Sequence, residues 1–205
     1  MNPINDYISW LPGSCSTYVI SRETSALVID CGAHQPSDTD SLGIDVADVD
    51  RLLLTHFHRD QCSAAASWAA AGVDVAVPFC EKRYFEEADI LRASYDTFDN
   101  YTAFFPGFSS LQDLRGTWAV DYDILRWHDL ELSVVPLPGH TFGSSGYLFD
   151  LEGVRYLACG DLLSAPGKMH DYARAQWSYM SFQGHVNLLE SLATVRRLEP
   201  QVILP

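Results

Sequence analysis

The chain of 205 residues is predicted to fold as one α/β domain with a sheet-on-sheet core and helices outside it. Strand-like apolar runs form two groups, one in each half of the chain, and helical segments follow each group. The apolar content of 47% is enough for one sizeable core in a chain of this length. We therefore expect residues 1–205 to form a single domain.

The first group of strands begins with a hairpin. Residues 16–20 and 26–30 are apolar runs, and the polar residues 21–24 between them predict a turn. A third run, 51–55, is almost unbroken in apolar residues, as in a strand that is covered on both faces. This strand delivers His56 at its carboxyl end, where open sheets gather their ligands.

Helical patterns follow this strand. The alanine-rich segment 62–71 has high helix propensity and ends at Gly72, and a further strand is predicted over 73–77. The next helix is predicted over 79–91. Its outward-facing residues are expected to be Glu81, Glu86 and Glu87.

An aromatic-rich stretch, 95–108, follows the second helix and predicts a long loop or a broken helix. Two interpretations of it stay open: its rings pack on the core, or they form a wall of a substrate pocket.

The second half of the chain returns to strands. Its predicted strands are 117–122, 130–136, 146–150 and 154–158. The residues 151–153 predict the turn between the last two strands. A helix over 186–198 then precedes a closing strand over 201–204.

Composition excludes several classes of protein. A net charge of −14 repels phosphate backbones, so nucleic acids are not expected as partners. No window approaches the roughly 20 apolar residues of a membrane span, and the first residues lack the pattern of a secretion signal, so we expect no membrane association and a cytoplasmic protein. The five cysteines are scattered without a Cys-x-x-Cys pair, which predicts reduced thiols.

Three short segments place imidazoles and carboxylates at strand ends. They are Thr55–Gln61 (THFHRDQ), Pro138–Thr141 (PGHT) and Cys159–Asp161 (CGD). Histidines at positions i and i+2 of an extended loop point to the same side, so His56 and His58 can reach one cation, with His140 as the natural third ligand. The neighbouring Cys62 is a further thiol donor, although packing is its more common role.

The order and context of these segments resemble the metallo-β-lactamase superfamily. Its motif begins His-x-His-x-Asp-His and continues with a downstream Gly-His and a Gly-Asp, and Gln61 stands where the family usually has a histidine. The resemblance implies a four-layer αββα sandwich of two mixed sheets flanked by helices, of the glyoxalase-II-like kind.

The resemblance also implies a set of metal ligands. The first metal would take His56, His58 and His140, and the second Asp60, Gln61, the bridging Asp161 and one late histidine. One or two Zn²⁺ ions are expected, with Mn²⁺ or Fe²⁺ as alternatives at the second position, because the neutral amide oxygen of Gln61 suits harder cations.

The late histidine of the family is absent before Pro205. We therefore expect the domain to be cut just before a last ligand motif, with a further C-terminal segment or domain of the same protein beyond it. Either His170 or His185 can substitute only if its loop folds back.

Residues near the ligands have two interpretations each. Asp30 either orients the ligand loop, as the family's acid does at this place, or caps a turn. Thr141 either contacts substrate or caps the turn after His140. Lys168 and Arg174 either anchor an anionic group or form surface ion pairs.

Metal chemistry predicts hydrolysis of a small-molecule ester, thioester, amide or phosphoester by a metal-activated water, with Asp60 and Asp161 as catalytic carboxylates. Asp60 would hold the second metal or act as the base that orients the water. The alternative is a catalytically weak or inactive metal-binding domain of a larger protein, since Gln61 weakens the second position. A two-iron oxidoreductase is a third interpretation, and neither the substrate nor the oligomeric state follows from the sequence.

Overall fold

The computed structural model describes residues 1–13, 15–38, 43–89, 114, 116–164, 168 and 182–205. The chain divides into two compact units. The first consists of Met1–Val77 with Glu81–Trp118, and the second of Pro78–Cys80 with Ala119–Pro205. Within the described ranges, no helix combines the length and apolar character that crossing a membrane requires.

The first unit is organised by a seven-stranded mixed sheet whose strands follow one another in chain order. The strands are β1 (Asn2–Pro3), β2 (Ile8–Pro12), β3 (Ser16–Arg22), β4 (Ser25–Ile29), β5 (Val49–Leu53), β6 (Asp74–Pro78) and β7 (Thr117–Ala119). Strands β1 to β4 pair antiparallel, whereas β4, β5 and β6 pair parallel. Strands β4 and β6 bury every residue after the first, as expected of strands covered on both faces, whereas β5 leaves Asp50 exposed.

Two short helices replace the single helix predicted over 62–71, which was therefore wrong in extent. They are α1 (Arg59–Cys62) and α2 (Ala65–Ala70). The break has a physical cause, because the carbonyl of Gly32 accepts hydrogen bonds from Ala64 N at 2.9 Å and from Ser63 Oγ at 2.6 Å. These bonds tie the start of α2 to the chain that leaves β4.

The helix predicted over 79–91 is interrupted at Glu87, and residues 90–91 lie outside the described part of the chain. A 3-10 turn over Phe79–Glu81 leads into α3 (Lys82–Glu86). Glu81 was expected on the outer face and is instead only 1% exposed. That expectation was wrong because a backbone N–H outside the helix binds the carboxylate and draws it inward. The aromatic stretch 95–108 lies outside the described residues.

The second unit is organised by a five-stranded mixed sheet in the order β12-β11-β10-β9-β8. Its strands are β8 (Ile124–Trp127), β9 (Leu130–Pro136), β10 (Ser145–Leu151), β11 (Val154–Ala158) and β12 (Val202–Leu204). Strands β8 to β11 pair antiparallel, and β12 joins β11 in parallel. The strand predicted over 117–122 ends at Ala119 as β7 and belongs to the other sheet.

The long helix α4 (Phe182–Leu198) begins four residues before the predicted start and packs on the five-stranded sheet. Its buried Leu188 and Val195 join an apolar cluster with residues of β9 and β11 and with Leu162. The first unit has its own cluster, in which Trp68 of α2 is fully buried. Each sheet therefore has an apolar core that supports the loop at its strand ends.

Candidate metal centre

The first unit carries two buried histidines in the loop that leaves β5. His56 and His58 are 1% and 2% exposed. Their facing nitrogens, Nε2 of His56 and Nδ1 of His58, lie 3.0 Å apart, and the rings meet edge to face. The two side chains thus point to the same side, as their i, i+2 spacing predicts. Nitrogens so placed are donors of the type that zinc binds.

A chain of hydrogen bonds orients the His56 ring. The hydroxyl of Thr55 lies 2.7 Å from Asp30 Oδ2 and 3.0 Å from His56 Nδ1. A carboxylate only accepts, so the hydroxyl donates to Asp30 and its oxygen accepts from Nδ1–H of His56. These partners assign the proton to Nδ1 and leave a lone pair on Nε2, the nitrogen that faces His58.

Asp30 itself is held in an uncommon backbone conformation. Its φ is +52°, in the left-handed region, while its N–H donates to Leu53 O at 2.9 Å. Its second oxygen, Oδ1, accepts from Thr55 N at 2.8 Å. Both carboxylate oxygens therefore bind Thr55, and the side chain reaches across from the end of β4 to the end of β5. This contact fits the loop-orienting interpretation of Asp30 better than the turn-capping one.

The backbone between the two histidines is also held by side chains. Phe57 N donates to Glu81 Oε2 at 2.7 Å. The thiol of Cys62 lies 3.2 Å from Phe57 O and 3.1 Å from His58 O. Burial raises the pKa of the Cys62 thiol well above its ordinary value, so the sulfur is a neutral donor to these carbonyls. This placement favours the packing role of Cys62 over metal ligation.

Gln61 and Asp60 lie on α1, directly after the histidine pair. Gln61 is 1% exposed, and its carbonyl accepts from Cys31 N at 3.0 Å and Gly32 N at 2.9 Å. Asp60 is half-buried in the first turn of the helix. The backbone of Gln61 is thus hydrogen-bonded to the chain after β4, and its side chain is buried.

The second unit carries His140 in a tight turn after β9. The imidazole is 3% exposed. The turn is closed by Gly139 N, which donates to Thr141 O at 2.9 Å, and by the hydroxyls of Thr141 and Ser144, which lie 2.6 Å apart. Thr141 N also donates to Ser144 Oγ at 3.2 Å. These contacts match the turn-capping interpretation of Thr141.

Helix α4 supports this turn from the other side. Ser191 donates its hydroxyl to Pro138 O at 2.6 Å. Gly139 has a φ of +143°, and a Cβ at this position would lie 2.8 Å from the Cα of Leu188. Only glycine satisfies both the backbone conformation and the close approach of the helix. The helix therefore determines where the turn presents its imidazole.

Asp161 lies beside His140 in the same unit. It belongs to a 3-10 turn over Gly160–Leu162 that follows β11. Its Oδ2 lies 3.3 Å from Nε2 of His140, and its side chain is 14% exposed. The two segments singled out in the second half of the sequence thus meet, each at the end of a strand.

The donor chemistry in both units fits a divalent cation. His56, His58, His140 and Asp161 each offer one ligand atom of a kind that zinc accepts. The other histidines have different settings: His34 lies in a turn, His128 is exposed in a turn after β8, and His185 lies within α4 rather than in a loop. His170 and Arg174 lie outside the described residues, and Lys168 is exposed.

Sequence reasoning missed Glu81, Cys62 as a loop donor and Ser191. None of them belongs to the histidine and aspartate segments. The one available signal for Glu81 was its position three residues after the end of β6, near the strand ends where the ligands gather.

Two mixed sheets with helices and with histidine and aspartate donors at strand ends define a metal-binding α/β protein. The family model of the metallo-beta-lactamase superfamily matches residues 10–205. The chain therefore belongs to the metallo-beta-lactamase superfamily, which confirms the predicted family.

Curated relatives in this family are named hydroxyacylglutathione hydrolase. One from Aeromonas salmonicida is 28% identical over 164 residues, which cover 75% of this chain and 52% of the relative. One from Aeromonas hydrophila is 27% identical over 163 residues, which cover 80% of this chain and 49% of the relative. The chain thus spans about half the length of the curated relatives it matches.

Solved structures show the same fold. A metallo-beta-lactamase family protein from Thermus thermophilus has a TM-score of 0.74 at 20% identity, over 96% of this chain and 71% of that one. A metallo-beta-lactamase with a HARLDQ motif from Cronobacter sakazakii has a TM-score of 0.67 at 17% identity, over 95% of this chain and 76% of that one. The predicted α/β fold class with two mixed sheets is therefore confirmed.

Proposed function

We propose that this chain is the metal-binding domain of a hydrolase that cleaves a small thioester or ester. The observation that carries the proposal is the buried His56–His58 pair, in which one ring has its lone pair directed toward the other. Family membership supports hydrolysis, and the names of the two curated relatives support a thioester among the ester, thioester, amide and phosphoester substrates that the chemistry allows.

In this proposal His56, His58, His140 and Asp161 would hold one ion, and Asp60, Gln61 and Asp161 would hold a second where one binds. Zinc is the proposed metal, with one or two ions per chain and Mn²⁺ or Fe²⁺ as alternatives at the second position. A bound zinc-class ion supplies Lewis acidity and lowers the pKa of water to about 7.

The residues of the chain have separate tasks in this proposal. The Asp30–Thr55 contact keeps the proton of His56 on Nδ1, so that Nε2 stays available as a ligand. Asp60, half-buried at the start of α1, would hold the second ion where one binds; with a single ion it would orient the attacking water and accept its proton at a carboxylate oxygen. The turn held by Ser191 and Leu188 presents His140 in a fixed direction.

One feature favours a second candidate function. Gln61 offers a neutral amide where the family usually has an imidazole, and an amide is the weaker zinc donor. A mononuclear domain with weak or no turnover, structural or sensing in role, is therefore the alternative. The HARLDQ motif in the name of the Cronobacter metallo-beta-lactamase ends in Asp-Gln, as the segment Thr55–Gln61 does here.

The five cysteines are free thiols, which supports the proposed cytoplasmic location, because reducing compartments keep thiols in this state.

The test measures metal content and turnover together. The purified chain and its His58→Ala variant are compared by elemental analysis and with thioester, ester and phosphodiester model substrates in added zinc, manganese or iron. His128→Asn, at an exposed turn position, is the matched control. We expect metal and turnover in the wild type and the control and neither in His58→Ala. Metal without turnover would select the alternative, and no metal in the wild type would overturn the site.

A further inference from the structure

Glu81 is a buried carboxylate that the histidine and aspartate segments do not include. It ends the 3-10 turn that follows β6, and it is 1% exposed. Its Oε2 lies 2.7 Å from Phe57 N, a distance typical of a hydrogen bond between a backbone N–H and a charged acceptor. Moving a carboxylate from water into the protein interior has an unfavourable free energy unless it is hydrogen-bonded. A buried carboxylate at this position therefore indicates a function that a shorter or apolar side chain would not perform.

The position of the donor gives Glu81 its significance. Phe57 stands between His56 and His58, so its N–H belongs to the peptide that links the first histidine to the loop. The next peptide, from Phe57 to His58, is held at its carbonyl by the Cys62 thiol at 3.2 Å. Both peptides between the two imidazoles are therefore held by side chains from other segments. Rotation of either peptide would turn one ring away from the other.

A second contact fixes the same residue from the same segment. The ring of Phe57 lies 4.8 Å from the ring of Tyr84, measured between centroids, and Tyr84 belongs to α3, which begins directly after Glu81. Phe57 is 7% exposed. The segment after β6 thus contacts Phe57 in two ways: Glu81 accepts a hydrogen bond from its N–H, and Tyr84 packs against its ring.

We propose that Glu81 is a positioning residue for the metal-ligand pair, and that it acts by accepting the hydrogen bond from Phe57 rather than by its charge. The inference rests on the proposed metal site. Residues that orient ligands in this indirect way typically change metal affinity by about 10- to 100-fold when they are altered. A role through the hydrogen bond and a role through the charge predict opposite zinc affinities for two conservative variants.

The two variants separate acceptor from charge. Glu81→Gln keeps an oxygen at the same reach and removes the negative charge. Glu81→Asp keeps the charge and withdraws the oxygen by about 1.5 Å, one carbon–carbon bond. Glu87→Gln, at an exposed position on the same segment, is the matched control for loss of a carboxylate.

Each purified full chain is titrated with zinc against a chromophoric chelator, and its cobalt-substituted form is examined by visible absorption. We expect Glu81→Gln and the control to bind zinc within about threefold of the wild type, with the wild-type cobalt spectrum. We expect Glu81→Asp to bind zinc at least about tenfold more weakly, with a changed cobalt spectrum. Melting of the metal-free proteins shows whether each variant is folded.

The outcomes distinguish the two proposals. If the wild type binds neither zinc nor cobalt, the proposed metal site fails. If the wild type binds and both Glu81 variants bind equally well, the positioning role is overturned while the site stands. Weak binding by Glu81→Gln with wild-type binding by Glu81→Asp would show that charge acts instead, which also overturns the inference. If Glu81→Asp does not fold, Glu81→Met, which has a similar length but no acceptor oxygen, takes its place with the same expected loss of zinc affinity.

Discussion

Replacing Thr55 by valine tests the hydrogen-bond chain that orients His56. Valine has nearly the same shape as threonine but lacks the hydroxyl, so it removes the contact to Asp30 Oδ2 at 2.7 Å and the contact to His56 Nδ1 at 3.0 Å. Thr55, Asp30 and His56 are all buried, so water cannot readily replace the lost partner. Thr55→Ser keeps the hydroxyl and is the matched control.

The expected loss follows from the type of each bond. A hydrogen bond to a charged group contributes about 1.5–3 kcal/mol and a neutral one about 0.5–1.5 kcal/mol, and the two share one hydroxyl, so we expect about 2–3 kcal/mol in the free energy of unfolding of the metal-free chain. For a chain of this size this lowers Tm by about 4–12 °C. The control loses one methyl group, which costs about 1 kcal/mol.

The assay is thermal unfolding of the metal-free chain followed by circular dichroism, with zinc titration of the same samples. We expect Thr55→Val to bind zinc about 10- to 100-fold more weakly than Thr55→Ser, because the His56 ring is then free to rotate or to exchange its tautomer. Equal Tm and equal zinc affinity for the two variants would refute the reasoning that the Thr55 hydroxyl fixes the ring.

Three further predictions concern other parts of the molecule. Gly139→Ala is expected to lower the free energy of unfolding, measured in urea, by about 1–3 kcal/mol more than Gly153→Ala does. Both positions have a positive φ, but only at Gly139 would the new Cβ lie against Leu188. Equal losses for the two variants would contradict this. Gln61→His is expected to raise the metal content of the chain toward two ions by elemental analysis, since imidazole is the better zinc donor, and an unchanged content would argue against a second position at this residue. Burial, with Asp30 nearby, raises the pKa of the Cys15 thiol, so its contribution to stability is complete below about pH 8.5 and is lost as the pH rises above it. The Tm advantage of the wild type over Cys15→Ser should therefore shrink between pH 7 and pH 10, and a constant difference would show that the thiol does not titrate with unfolding.

Several elements followed directly from local patterns. The strands over Leu130–Pro136 and Val154–Ala158 were predicted with their observed bounds, because each begins directly after a two-residue turn and ends within three residues of a glycine. The helix over 62–71 was predicted too long, because helix propensity carries no information about the carbonyl of Gly32, which lies about 30 residues away in the chain and takes the N–H of Ala64. The helical pattern also placed Glu81 on the outer face, because it carries no information about the hydrogen bond that the distant Phe57 N–H donates to this carboxylate.

The sequence by itself determined the family, the α/β class and the identity of the donor residues, because histidine and aspartate at strand ends are visible as letters and spacing. It also indicated that His56 and His58 point to one side, since this depends only on the period of an extended chain. Only the tertiary structure decided how those donors are oriented. The bonds from Thr55 to Asp30, from Phe57 to Glu81 and from Ser191 to Pro138 each join residues that are 24 or more positions apart. Such pairs form because each unit brings its own strand ends, turns and helices into contact, and no local preference of either partner specifies them.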